Sequence, residues 1–153
     1  TSERKVVDYF AHNNPEYYTP SRKSNYLSVE HLYYRDSKYF DRKTENGFPV
    51  FWSRGNGWVI AGVARVLEYL PEDWRTREQY EDIFLDMAAV LKSVQGSDGL
   101  WRTSLLDSAE FPMPETSGSA FFCYSMAWGI NNGLLSRAEY GFSVPDRSCW
   151  DPK

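Results

Sequence analysis

Apolar positions recur along most of this chain at spacings of three and four, the period of a helix with one face turned inward. Val6, Val7, Phe10 and Ala11 fall on one side of a short helix over residues 3–11, which Ser2 can cap and Asn13-Asn14-Pro15 ends. Residues 16–25 are polar, contain Pro20 and read as a loop, and residues 24–31, with Tyr26, Leu27 and Val29, read as a second short helix. Val59, Ile60, Val63, Val66, Leu67 and Leu70 predict a helix from about Gly57 to Leu70, stopped by Pro71. Ile83, Phe84, Met87, Ala88, Leu91 and Val94 predict another over 76–95, with Glu78, Glu81, Asp82, Asp86 and Lys92 on its far side. Thr76 and Gln79 have the form of a capping box at its start. A further helix spans 118–133, where Phe121, Phe122, Cys123, Tyr124, Met126, Ala127, Trp128 and Ile130 leave no polar face, so burial all round is expected. Asn131-Asn132-Gly133 closes it, Ser136 caps one more turn to Tyr140, and the polar residues 141–153 read as a loose tail.

Short extended pieces lie between these helices. Leu32-Tyr33-Tyr34-Arg35-Asp36 is aromatic and favours extended backbone. Residues 41–49 are charged and hold the turn signal Asn46-Gly47, so Leu32–Asp36 and Val50–Trp52 are expected to face each other, with Arg35 and Asp36 near Arg54. An outer amphipathic helix alternates with inner apolar ones, and the N-terminal turns of the inner helices carry Gly, Trp, Arg, Ser and Thr. That arrangement predicts an all-α fold in which inner helices wall a bowl and the turns at one rim form a site.

The chemistry concentrates in Phe51-Trp52-Ser53-Arg54-Gly55-Asn56-Gly57-Trp58, read as a binding turn that opens a helix. Glycine permits close backbone approach, arginine offers a planar fork suited to a carboxylate, and tryptophan offers a flat apolar face suited to a sugar ring. These features predict a carbohydrate acid as ligand. Gly-Asn-Gly is by itself only a turn signal, and a tryptophan at the start of a helix more often packs than binds.

Composition narrows the field. The chain has 153 residues, enough for one modest domain, and 17% are aromatic, which suits a protein that packs and binds with rings. A net charge of -4 argues against nucleic acid as partner. No apolar run approaches the roughly 20 residues of a membrane helix. Cys123 reads as a small buried hydrophobe; a bridge to Cys149 has no supporting spacing, and no Cys/His cluster suggests zinc.

Four segments, in order, resemble the unsaturated rhamnogalacturonyl hydrolases, relatives of the unsaturated glucuronyl hydrolases. They are Leu32–Asp36, Phe51–Trp58, Asp98-Gly99-Leu100-Trp101, and Glu115–Ala120 with Gly129-Ile130-Asn131-Asn132-Gly133. The resemblance implies an (α/α)6 toroid and, as substrate, an oligosaccharide ending in a 4,5-unsaturated uronic acid at its non-reducing end. It implies no metal or organic cofactor. On this similarity Trp52, Arg54 and Trp58 line the pocket, Arg54 takes the carboxylate, and Ser117, Glu115 and Thr116 stand at the same rim, where helix capping explains them equally well. Arg35 occupies the position where family members often carry a histidine, and His31 lies four residues earlier.

The family's general acid, an aspartate in a Trp-x-Asp-x-Leu setting, has no counterpart in the sequence; Asp8 lacks that context. The catalytic acid is therefore unassigned and expected upstream. A complete toroid needs on the order of 350 residues. The chain is thus expected to be the C-terminal part of a toroid domain, inactive alone, with exposed inner helices that favour self-association. Two other readings stand beside the hydrolase. One is a non-catalytic carbohydrate-binding or scaffold protein. The other is a polysaccharide lyase or ordinary inverting glycosidase, for which no tyrosine or carboxylate pair is singled out.

Overall fold

A computed structural model describes Ser28 and residues 30–141. The helices expected over 3–11 and across most of 24–31, the tail after Gly141 and Cys149 lie outside the described residues. Ser28 and His31 form a turn, with His31 N–H donating to Ser28 O at 3.1 Å. Four α-helices follow: α1 Ser53–Tyr69, α2 Arg77–Ser93, α3 Thr116–Asn131 and the single turn α4 Arg137–Tyr140. A 3₁₀ turn, Ser37–Tyr39, precedes them. Among the described residues the extended segments meet only in isolated bridges, Lys43 with Pro49, Trp52 with Ser104 and Arg102 with Pro114.

The first helix begins four residues earlier than its apolar pattern predicts. Its buried face is Ser53, Asn56, Gly57, Ile60, Ala61, Val63, Ala64 and Leu67, so the Ser-Arg-Gly-Asn-Gly run is helical rather than a turn. Two interactions overcome the poor helix propensity of its glycines. The fully buried Asn56 accepts from Tyr33 N–H (2.8 Å) and donates to Tyr33 O (3.1 Å) and Trp52 O (3.1 Å), tying the helix to the Leu32–Tyr34 segment. Gly57 lets α3 approach: a Cβ there would stand 2.9 Å from Phe121 Cβ.

Gly118 does the same from α3, since a Cβ there would meet Ser53 Cβ at 2.8 Å and the Ser53 carbonyl carbon at 2.9 Å. Gly118→Ala is expected to cost roughly 1–3 kcal/mol of stability, because Ser53 backbone would have to move. Gly55 faces open space. Gly55→Ala is therefore expected to stabilise by up to about 1 kcal/mol through helix propensity. Urea denaturation of both variants checks the opposite signs.

Val50–Trp52 pairs with the segment after Trp101, not with Leu32–Asp36 as the pattern suggested. Ser53 N–H donates to Thr103 O (3.0 Å) and Leu105 N–H to Phe51 O (2.9 Å). The aromatic segment packs on this ladder through side chains instead, with the Tyr34 and Phe51 rings 4.7 Å apart. Asn46-Gly47 does form a tight turn, with Gly47 at φ 87. The buried carboxylate of Asp107 holds that turn in place, accepting from Asn46 Nδ2 at 3.2 and 3.1 Å and from Glu110 N–H at 3.1 Å. The hydrogen bond from Thr44 leads the interactions that hold its carboxyl below the usual range.

Helix α2 turns Tyr80, Phe84, Met87, Ala88 and Leu91 inward, at spacings of three, four and one. Thr76 makes no side-chain cap bond, so the capping box is not realised. Arg77 takes over the junction, donating to Leu67 O (3.0 Å) and Leu70 O (2.6 Å) and satisfying carbonyls left open at the end of α1. Helix α3 buries Phe122, Cys123 and Met126, yet Phe121, Tyr124 and Trp128 are half-buried, so it is not enclosed on every side. The reason is that α1 and α2 cover only part of its circumference. Trp101 fills the centre: it is fully buried, its indole N–H donates to Leu91 O (2.7 Å) and its ring lies 5.1 Å from Phe122.

Candidate functional site

Arg54 sits in the first turn of α1, with Trp58 one turn on along the same face. Ser117 and Phe121 bear the same relation on α3. The two helices therefore meet in a ladder of two rungs. In the first, Arg54 Nε donates to Ser117 Oγ (2.9 Å) and Arg54 NH2 to Glu115 Oε1 (3.3 Å). In the second, the Trp58 and Phe121 rings lie 4.5 Å apart at 47°. Ser117 Oγ in turn donates to Glu115 Oε1 at 2.6 Å.

Glu115 does two jobs at once. One oxygen caps α3 by accepting from Gly118 N–H, and the other holds Arg54 and Ser117. Burial pushes its carboxyl upward, but hydrogen bonds from Ser117, Gly118 N–H and Arg54, with the guanidinium charge, outweigh this and hold it below the usual range. The capping reading of Glu115 is thus realised, and the same carboxylate also contacts Arg54. Thr116 is exposed at the first helical position.

The arginine head remains open to solvent, with 68% of its side chain exposed against 14% for Glu115. Its Nε and one NH2 hydrogen are engaged, while a guanidinium has five N–H donors in a fixed fork. The remaining donors suit an external carboxylate, and Ser117 and Glu115 fix the fork's direction in advance. Trp58 is 64% exposed beside it, a large apolar face in water. Trp52, at the N-cap of α1, is half-buried and held edge-on by Tyr39 (6.1 Å) and Phe111 (5.5 Å).

Arg35 is not joined to Arg54 by any contact among the described residues. It pairs with Asp36 (3.4 Å) and donates to Tyr39 Oη (3.3 Å), so it reaches the tryptophan side of the site through Tyr39. Asp36 caps the 3₁₀ turn by accepting from Lys38 N–H (2.9 Å). His31 lies at the surface in an ion pair with Asp86 (3.0 Å). Cys123 is buried, which pushes its thiol up. Among the described residues no group of three His, Cys, Asp or Glu could hold a metal, and no helix is long and apolar enough to cross a membrane.

The sequence pattern did not reveal Asn56, Tyr39 or Phe111. Asn56 had a usable signal, because it falls on the buried stripe of α1 four and seven residues before Ile60 and Val63. A polar amide on such a stripe needs buried partners. Tyr39 and Phe111 support Trp52 from segments distant in sequence, and no spacing announces that.

The pattern that defines Glycosyl Hydrolase Family 88 matches residues 5–145, and the chain belongs to that family. It is 43% identical over 141 residues to an unsaturated 3S-rhamnoglycuronyl hydrolase of Formosa agariphila, covering 88% of this chain and 37% of that protein. Among solved structures it is similar to a family 88 glycosyl hydrolase from Bacteroides vulgatus, with 41% identity and a TM-score of 0.75. The match covers 92% of this chain and 39% of that one. It is also similar to a structure described as a polysaccharide lyase, with 40% identity, a TM-score of 0.74 and coverage of 92% and 38%. The described helices are part of the family's α/α toroid. The chain spans well under half the length of these relatives.

Proposed function

We propose that this chain contributes the uronate-binding rim of a glycoside hydrolase acting on lyase-generated oligosaccharides that end in a 4,5-unsaturated uronic acid. The observation that carries the reading is the exposed guanidinium of Arg54, oriented by Ser117 and Glu115 with the exposed Trp58 one turn on. The similarity to an unsaturated 3S-rhamnoglycuronyl hydrolase supports the same substrate class. In this reading Arg54 takes the sugar carboxylate, and Trp52 and Trp58 bound the ring and exclude water. Thr116, Ser117 and Glu115 complete the rim.

The chemistry starts at the double bond. A proton adds to C4 of the enol ether and water adds to C5. The resulting hemiketal opens, and the neighbouring sugar leaves as an alcohol. The proton donor is not Trp52, Arg54 or Trp58, none of which is an acid at neutral pH, nor Glu115, whose carboxyl is held below the usual range by its hydrogen bonds, and we assign it to a part of the toroid outside this chain.

The similarity to a polysaccharide lyase favours a second reading, and one assay separates the two. A hydrolase of this kind consumes the conjugated double bond, whereas a lyase creates it. With the intact protein and an unsaturated uronyl-rhamnose disaccharide, ultraviolet absorbance is expected to fall as free rhamnose appears. A steady trace on that substrate, with a rise on the uncut polysaccharide, would overturn the hydrolase reading.

A further inference from the structure

Trp52 stands where two loops leave one short ladder. In that ladder Trp52 pairs with Ser104, and Leu105 N–H donates to Phe51 O at 2.9 Å. The first loop, residues 43–49, runs into Phe51 and Trp52 and carries the Asn46-Gly47 turn at its tip. The second follows Leu105 and ends at Phe111. One buried side chain joins them. Asp107 belongs to the second loop, is 2% exposed, and reaches across with both carboxylate oxygens to Asn46 Nδ2, at 3.2 and 3.1 Å. Thr44 adds a hydrogen bond from the first loop. Within its own loop Asp107 accepts Glu110 N–H on the carboxylate (3.1 Å) and Phe111 N–H on the backbone carbonyl (3.2 Å). A carboxylate is all acceptor, so one residue can satisfy donors from both loops at once.

The half-buried ring that this clasp places is Phe111. Its centroid lies 5.5 Å from that of Trp52 and the planes cross at 88°, the edge-to-face arrangement that aromatic quadrupoles favour. Trp52 is half-buried at the N-cap of α1, so the direction of its free face depends on what backs it. We propose that Asp107 is a positioning residue for Trp52: it locks the two loops together and so sets Phe111 against the indole, fixing the angle at which that ring meets the sugar. The sugar contact rests on the uronate-rim reading; the setting of the ring does not. Asparagine at position 107 would turn an amide N–H2 toward donors that now find an acceptor, and the clasp would open.

Two measurements on the intact protein test this. The near-ultraviolet circular dichroism of the wild type minus that of Trp52→Phe isolates the band of the fixed indole. In the Asp107→Asn background that difference is expected to fall by at least about half, and a band kept within about a fifth of its size would overturn the proposal. Phe111→Leu removes the ring edge and leaves the clasp, so the same loss is expected there, which keeps the test open if Asp107→Asn fails to fold. Steady-state kinetics on an unsaturated disaccharide then places Asp107→Asn in a cycle with Trp52→Ala. Alone it is expected to raise KM about fivefold with kcat within about twofold, and to add nothing once Trp52 is replaced. An equal rise in both backgrounds would mean that Asp107 does not act through Trp52. If the band falls as expected but Trp52→Ala leaves KM unaltered, the positioning stands and the sugar contact of Trp52 fails. If Trp52→Ala raises KM while Asp107→Asn changes neither band nor KM, the positioning fails and the rim reading stands.

Discussion

Replacing Arg54 with alanine is expected to lower kcat/KM on an unsaturated disaccharide by about a hundredfold, with little change in stability. The stability part follows from exposure: the head is largely in water, and exposed ion pairs contribute about 0–1 kcal/mol. The activity part follows from preorganisation. Ser117 and Glu115 hold the fork before substrate arrives, so little side-chain entropy is lost on binding. Alanine would leave the sugar carboxylate without its charge-assisted bonds and close to the Glu115 carboxyl group. Steady-state kinetics together with thermal melting of the variant checks both halves. A rate within a few-fold of wild type would make Arg54 a helix-pairing residue only.

The second large effect concerns folding. Trp101→Ala is expected to destabilise the protein by roughly 3–5 kcal/mol. Trp101 is wholly enclosed, and its loss would open a cavity against Phe122 and leave Leu91 O without the indole donor. Its backbone also receives Glu115 N–H through the carbonyl (2.8 Å) and donates to Ser119 Oγ (3.0 Å). The same residue thus also anchors, through its backbone, the cap that contacts Arg54. Trp101→Phe keeps most of the volume and loses the indole N–H, so it should recover much of the stability. Urea denaturation separates the two variants by midpoint.

The fold was readable where one periodicity dominated. Helix α2 matched its apolar pattern within two residues at each end, because Tyr80 to Leu91 face one core. The start of α1 was not readable. Gly55 and Gly57 signal a turn locally, but Gly57 is glycine so that Phe121 can approach, and Asn56 fixes the first turn through Tyr33. Tertiary packing outweighed propensity there. The pairing of Val50–Trp52 was also hidden, since its partner lies some fifty residues on, after Trp101, and no turn signal links them.

The candidate site was legible in part. Residue type marked Arg54 and Trp58 as parts of one binding turn; the structure puts them instead on one side of a helix, with Ser117 and Glu115 opposite. Trp52 stands off that ladder, turned toward Tyr39 and Phe111 instead. The expected approach of Arg35 to Arg54 is replaced by a link through Tyr39, because Asp36 uses its carboxylate to cap the 3₁₀ turn and pairs Arg35 locally. Side chains that share a rim through such relays leave no periodic trace.

The most direct measurement compares an acid with its neutral counterpart. The intact protein and Arg54→Ala would be titrated calorimetrically with an unsaturated uronic acid monosaccharide and with its methyl ester. Recognition of a carboxylate by the Arg54 fork predicts that the wild type binds the acid at least tenfold more tightly than the ester, and that the variant binds both alike. Equal affinity of the wild type for acid and ester would contradict it.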